Sequence, residues 1–282
     1  MEELQEVNFS ERLRTIQQKK DSLLCVGLDI DLARLPSGFK KTPRGALSFL
    51  YAIIESTYDL VCAYKPNLAF FEALGPEGMD ILHRVLSFIP QNIITIGDAK
   101  RGDIGNTAEH YARALYDQMR FDAVTVNPYM GKDSVTPFLR KDKGVFLLAL
   151  TSNPGSADFQ TKRVGSSTLY ETVIRTSKRW DTRGALGYVV GATRTSQLRK
   201  VRALVPDAPL LIPGIGTQGG DITAAVQYGC TAHGDLAVIN ASRSILYASK
   251  GKNFALAARR EAALVRIAME HARADSPQTS RK

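Results

Sequence analysis

Eight short apolar runs alternate with segments of helical periodicity from one end of the chain to the other. The runs are 23–28, 61–65, 93–97, 123–127, 145–151, 186–191, 209–213 and 236–240. They are apolar at nearly every position, which is typical of strands that are covered on both faces. The alternation therefore predicts parallel strands joined by helical crossovers.

The segments between the runs carry the spacing of amphipathic helices. The clearest are 45–58, 77–89, 107–119, 168–180, 195–204, 220–228 and 252–272, and 134–140 is a weaker one. A further helix over 9–19, with Ser10 as its candidate N-cap, precedes the first strand. Eight such units predict a (β/α)8 TIM barrel, a fold of about 250 residues. An open doubly wound sheet is the alternative, but the turn at 27–31 lacks the glycine-rich dinucleotide fingerprint.

The length and composition fit a single globular domain. We expect one barrel over 1–274 and a polar, disordered tail over 275–282. The N-terminus lacks the apolar stretch of a signal peptide, and no run reaches the roughly 18 apolar residues that a membrane helix needs. Three scattered cysteines fit the reduced thiols of a cytoplasmic protein. The net charge is +9, but basic residues lie in mixed-sign segments, which favours small anionic substrates over nucleic acid.

Polar side chains gather where the predicted strands end. They are Asp29, Lys65, Asn67, Asp98, Lys100, Asn127, Ser152, Asn153, Gln218 and Arg243. The carboxyl ends of barrel strands carry the active site in enzymes of this fold, so we expect these residues to meet there. The histidines fall mainly in helical patterns, and no group of His, Cys or carboxylate residues has metal-ligand spacing.

The most specific pattern of charged residues lies at the end of the third predicted strand and just after it. If that strand runs through Lys100, strand alternation turns Asp98 and Lys100 to the same side, and Asp103 follows just beyond. Carboxylates on both sides favour the charged form of Lys100, which suits a proton donor better than an amine nucleophile. The alternative is a salt-bridged strand end that leads into a helix capped near Asn106, with Glu109 completing a capping box.

A second group has the character of a phosphate site. The glycine-rich stretch 213–220 follows the seventh predicted strand, and Arg243 follows the eighth. Glycines let backbone N–H groups approach an anion, and an arginine offers a planar fork to it. The loops after strands seven and eight are the usual phosphate site of such barrels. A plain glycine turn beside a surface arginine is the alternative.

With these residues assembled, the sequence resembles the orotidine 5′-phosphate decarboxylase family, in particular its type 2, mycobacterial-like subfamily. The resemblance covers about residues 8–250 and is most specific over Asp98-Ala99-Lys100-Arg101-Gly102-Asp103-Ile104. It implies conversion of orotidine 5′-phosphate (OMP) to uridine 5′-phosphate (UMP) and CO2 in de novo pyrimidine biosynthesis. It also implies a cytoplasmic homodimer that uses no cofactor and no metal and binds neither nucleic acid nor membrane.

The resemblance also implies roles for individual residues. Lys100 is the proton donor of an Asp98/Lys100/Asp103 charge array, Lys65 bridges the ribose and the catalytic aspartate, and Asp29 binds ribose hydroxyls. Asp103 crosses the dimer interface into the partner's site. Ile104 and Thr107 enter the partner's site together with Asp103. Ser152 contacts the pyrimidine. The last implied contacts, to the pyrimidine and the phosphate, are Pro213, Gln218 and Arg243.

Three other functions remain open from the residues. Hexulose-phosphate synthases share the barrel and a similar Asp-x-Lys-x-x-Asp pattern but use Mg²⁺ to hold an enediolate. A Schiff-base aldolase would use Lys100 as a nucleophile, which requires a neutral amine. A protein that only binds anions or nucleic acid would show salt-dependent binding and no turnover.

Overall fold

The computed structural model describes residues 8–180, 184–216 and 220–275, and eight of its strands form one closed parallel barrel. The strands are β1 (Leu24–Leu28), β2 (Ala63–Pro66), β3 (Ile94–Arg101), β4 (Ala123–Val126), β5 (Gly144–Leu150), β6 (Leu186–Val190), β7 (Leu210–Pro213) and β8 (Ala237–Ala241). Each pairs with its sequence neighbours, and β8 closes the barrel against β1. The predicted (β/α)8 fold is confirmed.

At least one helix follows each strand. The helices are α1 (Phe9–Lys20), α2 (Pro43–Thr57), α3 (Leu68–Glu72), α4 (Gly75–Phe88), α5 (Gly105–Arg113), α6 (Lys132–Val135), α7 (Ser156–Phe159), α8 (Leu169–Ser177), α9 (Thr195–Leu204), α10 (Ile222–Gly229), α11 (Arg243–Leu246) and α12 (Phe254–Ala274). Short 3₁₀ segments cover Leu32–Arg34 and Thr136–Phe138, and a π-helical segment, Ala114–Gln118, continues α5. A two-residue hairpin pairs Arg163–Val164 with Ser167–Thr168.

Strand alternation divides the core into two layers. Side chains that include Cys25, Ala63, Ile96, Ala123 and Phe146 fill the barrel interior. The alternate positions of the same strands pack outward against the helices in a larger cluster. Both faces of every strand are therefore apolar, which explains the continuous apolar runs of the sequence.

Helix α1 closes the amino end of the barrel, and its cap differs from the prediction. Phe9 and Leu13 join the interior cluster, and the buried Gln17 side chain bonds the backbone at the start of β8. The N-cap is Asn8, not Ser10. The Asn8 Oδ1 accepts the Glu11 N–H at 3.0 Å, while the Ser10 hydroxyl donates to the Gly184 carbonyl. The N-cap side chain must lie one residue before the first turn, and Ser10 is already inside the helix.

The structure bears on two further expectations at the ends of the chain. No helix among the described residues is long and apolar enough to cross a membrane. Helix α12 ends at Ala274, and of the predicted tail only Asp275 is described. The expectation of disorder over the rest of 275–282 lies outside the described residues.

Candidate active site

The carboxyl ends of β2 and β3 bring three charged side chains together at the mouth of the barrel. Asp98 accepts a hydrogen bond from Lys65 Nζ at 2.8 Å on one carboxylate oxygen and from Lys100 Nζ at 2.5 Å on the other. The Lys65 side chain is 4% exposed and that of Asp98 is 12% exposed, whereas Lys100 is 49% exposed. A buried pair thus holds one end of the cluster, and a solvent-accessible ammonium forms the other.

Lys100 reaches Asp98 through an irregular strand end. The register between β3 and β4 shifts between Gly97 and Arg101, and Lys100 has a left-handed backbone with φ 48°. The predicted meeting of Asp98 with Lys100 is therefore present, but a bulge produces it, not simple strand alternation. The buried Thr125 side chain, on β4, contacts both residues: its Oγ1 lies 3.0 Å from Asp98 Oδ1 and 2.9 Å from the Lys100 amide nitrogen.

The charges of the cluster stabilise one another. Burial alone raises the pKa of Asp98, but the charges of Lys65 and Lys100 outweigh it and hold that pKa well below its usual range. Burial alone lowers the pKa of Lys65, but the charges of Asp98 and Asp29 outweigh it, so that pKa lies above its usual value. The buried pair therefore stays ionised throughout the neutral range.

A pocket opens beside this cluster. Its lining residues are Asp29, Lys65, Asn67, Asp98, Pro213, Gly214, Ile215, Asn240, Ser242 and Arg243. Asp29 Oδ1 is buried and has no hydrogen-bond partner among the described residues. A buried carboxylate oxygen without a donor is unfavourable, so this atom is suited to accept a hydrogen bond from a ligand hydroxyl.

Residues at the ends of β7 and β8 and just after them also line the pocket. Gly214 and Gly216 have φ values of 105° and 85°, a backbone region that only glycine adopts without strain. A Cβ on Gly216 would lie 2.8 Å from the hydroxyl oxygen of Ser244, whose own hydrogen-bonding capacity is unused among the described residues. Arg243 begins α11 and lines the pocket. Gln218 lies outside the described residues.

Five of the predicted site residues that the structure describes lie outside the pocket lining, and Lys100, bonded to Asp98 at its edge, is one of them. Asp103 makes no hydrogen bond or ion pair with Lys100 within the described chain, and its Oδ1 accepts the N–H of Ile104 at 2.8 Å. Ile104 and Thr107 are exposed on the rim, and Ser152 packs against Gly191 at the end of β5. The cap near Asn106, which belonged to the alternative interpretation of this segment, is not observed. Helix α5 begins at Gly105, which has a left-handed φ of 52°, and its N-cap residue Ile104 makes no side-chain capping bond.

Three polar residues of the site are not among those predicted from the sequence. Asn240 and Ser242 line the pocket and bond each other, and Thr125 contacts Asp98 and Lys100. A signal for Thr125 was present, because it shares the inward face of its strand with Ala123 and is polar within an apolar run. Among the described residues, no three His, Cys, Asp or Glu side chains are grouped so as to hold a metal ion.

Known proteins of one family match the chain along nearly its whole length. A sequence profile described as "Orotidine 5′-phosphate decarboxylase / HUMPS family" matches residues 22–258. The chain is 48% identical over 272 residues to a Dehalococcoides mccartyi protein named orotidine 5′-phosphate decarboxylase, covering 95% of this chain and 99% of that one. It is 50% identical over 258 residues to the Cupriavidus metallidurans protein of the same name, covering 90% and 94%.

A solved structure agrees with these sequence matches. The structure of Leishmania donovani OMP decarboxylase superimposes with a TM-score of 0.79 at 39% identity, covering 93% of this chain and 99% of that chain. The profile match over residues 22–258 includes the strands that carry the charged cluster and the pocket. Because the profile, the two relatives and the shared fold agree, this chain belongs to the orotidine 5′-phosphate decarboxylase / HUMPS family.

Proposed function

We propose that the chain converts OMP to UMP and CO2, as a carboxy-lyase of de novo pyrimidine biosynthesis. The observation that carries the proposal is the Lys65–Asp98–Lys100 cluster at the pocket, in a chain of the decarboxylase family. The reaction breaks the bond between C6 of the pyrimidine and its carboxylate, and the electron pair remains on C6. A positioned ammonium beside that carbon meets the need of such a reaction for positive charge and a proton.

Lys100 and Asp98 have different roles in the catalytic step. As CO2 departs, the Lys100 ammonium stabilises the charge on C6 and then donates a proton to it, and solvent returns a proton to the amine. Lys100 is exposed enough for that exchange, whereas the buried Lys65 is not. Asp98 holds the Lys100 ammonium in place and lies near the departing carboxylate. These roles need no cofactor and no metal.

Substrate binding would use the rest of the pocket. Asp29, with its unpaired buried oxygen, accepts hydrogen bonds from ribose hydroxyls, and Lys65 lies between that carboxylate and Asp98. Arg243 and the N–H groups of the glycine-rich loop after β7 bind the phosphate. The pyrimidine-side contacts proposed are Pro213, Ser152 and Gln218.

The second aspartate would act in a homodimer. Asp103 makes no contact with Lys100 of its own chain among the described residues, and it lies on the rim of the barrel. Ile104, next to it, exposes 55% of a large apolar side chain. We infer that Asp103, Ile104 and Thr107 enter the site of a second copy, where Asp103 completes the charge array.

Three broader assignments complete the proposal. We place the chain in the type 2 subfamily of the decarboxylases, on the Asp98–Ile104 motif. We assign residues 1–274 to a single barrel domain. We also expect the enzyme to work in the cytoplasm, where OMP and UMP, not nucleic acid or a membrane, are its partners.

The test is the loss of the ultraviolet absorbance of OMP when the purified full chain is added, with and without EDTA. We expect turnover that EDTA leaves unchanged. No turnover of OMP would overturn the proposed function, and loss of activity in EDTA would favour the Mg²⁺-dependent chemistry of hexulose-phosphate synthases. A covalent adduct trapped by borohydride would instead point to a Schiff-base aldolase.

A further inference from the structure

The irregular end of β3 presents a segment of three residues to a single residue of β4. Gly97 is opposite Val124 and Arg101 is opposite Val126, so 98–100 face Thr125 alone. The regular ladder cannot satisfy the backbone of such a segment. Its geometry therefore depends on what the side chain at position 125 provides.

Lys100 lies in this segment in an unfavourable backbone conformation. Its φ of 48° is left-handed, a region that costs free energy for a residue with a side chain. Its backbone N–H donates to the Thr125 hydroxyl oxygen at 2.9 Å. That bond gives the amide a partner that the strand ladder does not supply, and it fixes the conformation from which the Lys100 side chain starts.

The same hydroxyl also fixes the carboxylate. A hydroxyl has one proton to donate, and because the Thr125 oxygen accepts from Lys100, its proton is free for Asp98 Oδ1 at 3.0 Å. That carboxylate oxygen also accepts from Lys100 Nζ, and the other one accepts from Lys65. Thr125 thus closes a ring of hydrogen bonds through the backbone and the side chain of Lys100.

We propose that Thr125 is a positioning residue, whose hydroxyl sets both the bulge that carries Lys100 and the rotation of the Asp98 carboxylate. This inference rests on the proposed decarboxylase function. Thr125 is 1% exposed and bonds both Lys100 and Asp98, so it acts through these two residues and not through the substrate.

A second strand threonine provides a matched control. Thr95 is 7% exposed and lies on β3, the strand that carries Lys100. Its hydroxyl donates to Asp122 Oδ2 at 2.8 Å and accepts the Asp122 N–H at 3.2 Å. This is the same kind of bond pattern, a hydroxyl that bridges an amide and a carboxylate. It lies at the amino end of the barrel, away from the charged cluster.

The experiment compares Thr125→Val, Thr125→Ser and Thr95→Val by steady-state kinetics on OMP and by thermal unfolding. Loss of a hydrogen bond to a charged group from a preorganised site should lower kcat of Thr125→Val about 10- to 100-fold. KM should change little, because the ribose and phosphate contacts remain. Thr125→Ser, which keeps the hydroxyl, should retain most of kcat, and Thr95→Val should lose stability but keep kcat.

The outcomes separate the inference from the function on which it rests. If wild type does not decarboxylate OMP, the proposed function fails. If wild type is active and Thr125→Val matches Thr95→Val in kcat, the function stands and Thr125 has only a structural role. If the valine variant does not fold, Thr125→Ala against Thr125→Ser isolates the hydroxyl, and equal kcat values for that pair would overturn the inference.

Discussion

The carboxylate of Asp98 lies between two ammonium groups that differ in their surroundings. Lys65 is 4% exposed and Lys100 is 49% exposed, although both bond the same side chain. A buried ion pair is expensive to break because the remaining charge is left without a partner. In the proposed mechanism the two lysines therefore have different roles: Lys65 anchors the carboxylate, and Lys100 stays accessible for proton exchange.

Replacement of Asp98 by Asn should destabilise the fold strongly. It removes the charge that compensates buried Lys65, and breaking such a pair costs about 3–5 kcal/mol. The matched control is Asp80→Asn, which breaks an exposed Asp80–Arg84 pair on α4 and should cost less than about 1 kcal/mol. The free energies of unfolding from urea titrations at pH 7 provide the comparison, and equal losses for the two variants would contradict the account.

The stabilisation that Asp98 provides should depend on pH in one direction. Its pKa is lowered in the folded state, so its contribution is present above the unfolded carboxyl pKa of about 3.9 and is lost as pH falls below it. The difference in unfolding free energy between wild type and Asp98→Asn should be constant from about pH 5 to 8 and should narrow below about pH 4. If the difference in unfolding free energy instead grew below about pH 4, the pKa of Asp98 would not be lowered in the folded state.

The loops after β7 and β8 act as a unit in the proposed mechanism. The first supplies left-handed glycines and the second supplies Arg243, and described residues of both line the same pocket as Lys65 and Asp98. The reacting C6 atom and the phosphate would lie on different sides of the same substrate. Binding energy from the phosphate can organise the charged groups when a loop closes on it.

Arg243→Ala should weaken both binding and turnover of OMP. Loss of a charge-assisted hydrogen bond worth roughly 1.5–3 kcal/mol should reduce apparent affinity about 10- to 100-fold. Orotidine, which lacks the phosphate, should be a poor substrate of wild type even at saturation, and the variant should partly reproduce that loss on OMP. Arg84→Ala on α4 is the control. Unchanged kcat and KM in Arg243→Ala would reduce Arg243 to a surface residue.

The regular elements could be predicted from the sequence, but the irregular ones could not. Buried strands are apolar on both faces, so all eight appear in the sequence within a few residues of their observed bounds. The bulge at the end of β3 carries no such signal, because Lys100 takes a left-handed conformation without being glycine. Tertiary contact with Thr125 determines that conformation. The cap of α1 was misassigned by two residues, since Ser10 and Asn8 are both competent capping residues.

The assembled enzyme is expected to share its active sites between two chains. Asp103 is partly exposed and makes no hydrogen bond or ion pair with Lys100 of its own chain among the described residues, and apolar Ile104 beside it is open to solvent. A second copy that brings Asp103 to Lys100 would complete the array and cover Ile104. The charge array would then exist only in the dimer.

Mixing two inactive variants should restore activity if the sites are shared. Lys100→Ala lacks the proton donor and Asp103→Ala lacks the residue given to the partner. After subunit exchange, a heterodimer carries both defects in one site and none in the other. Activity should rise on mixing and should not rise when either variant is mixed with itself. No recovery after exchange has been confirmed by mass would contradict a shared site.

The most direct test of the account is the rate of OMP decarboxylation by Lys100→Ala, measured by ultraviolet absorbance beside wild type. Loss of a positioned acid and of its charge should lower kcat by more than about 1,000-fold, while thermal unfolding stays cooperative. Lys19→Ala, an exposed lysine on α1 at the other end of the barrel, should match wild type. Near-normal decarboxylation by Lys100→Ala would contradict the assignment of Lys100 as the proton donor.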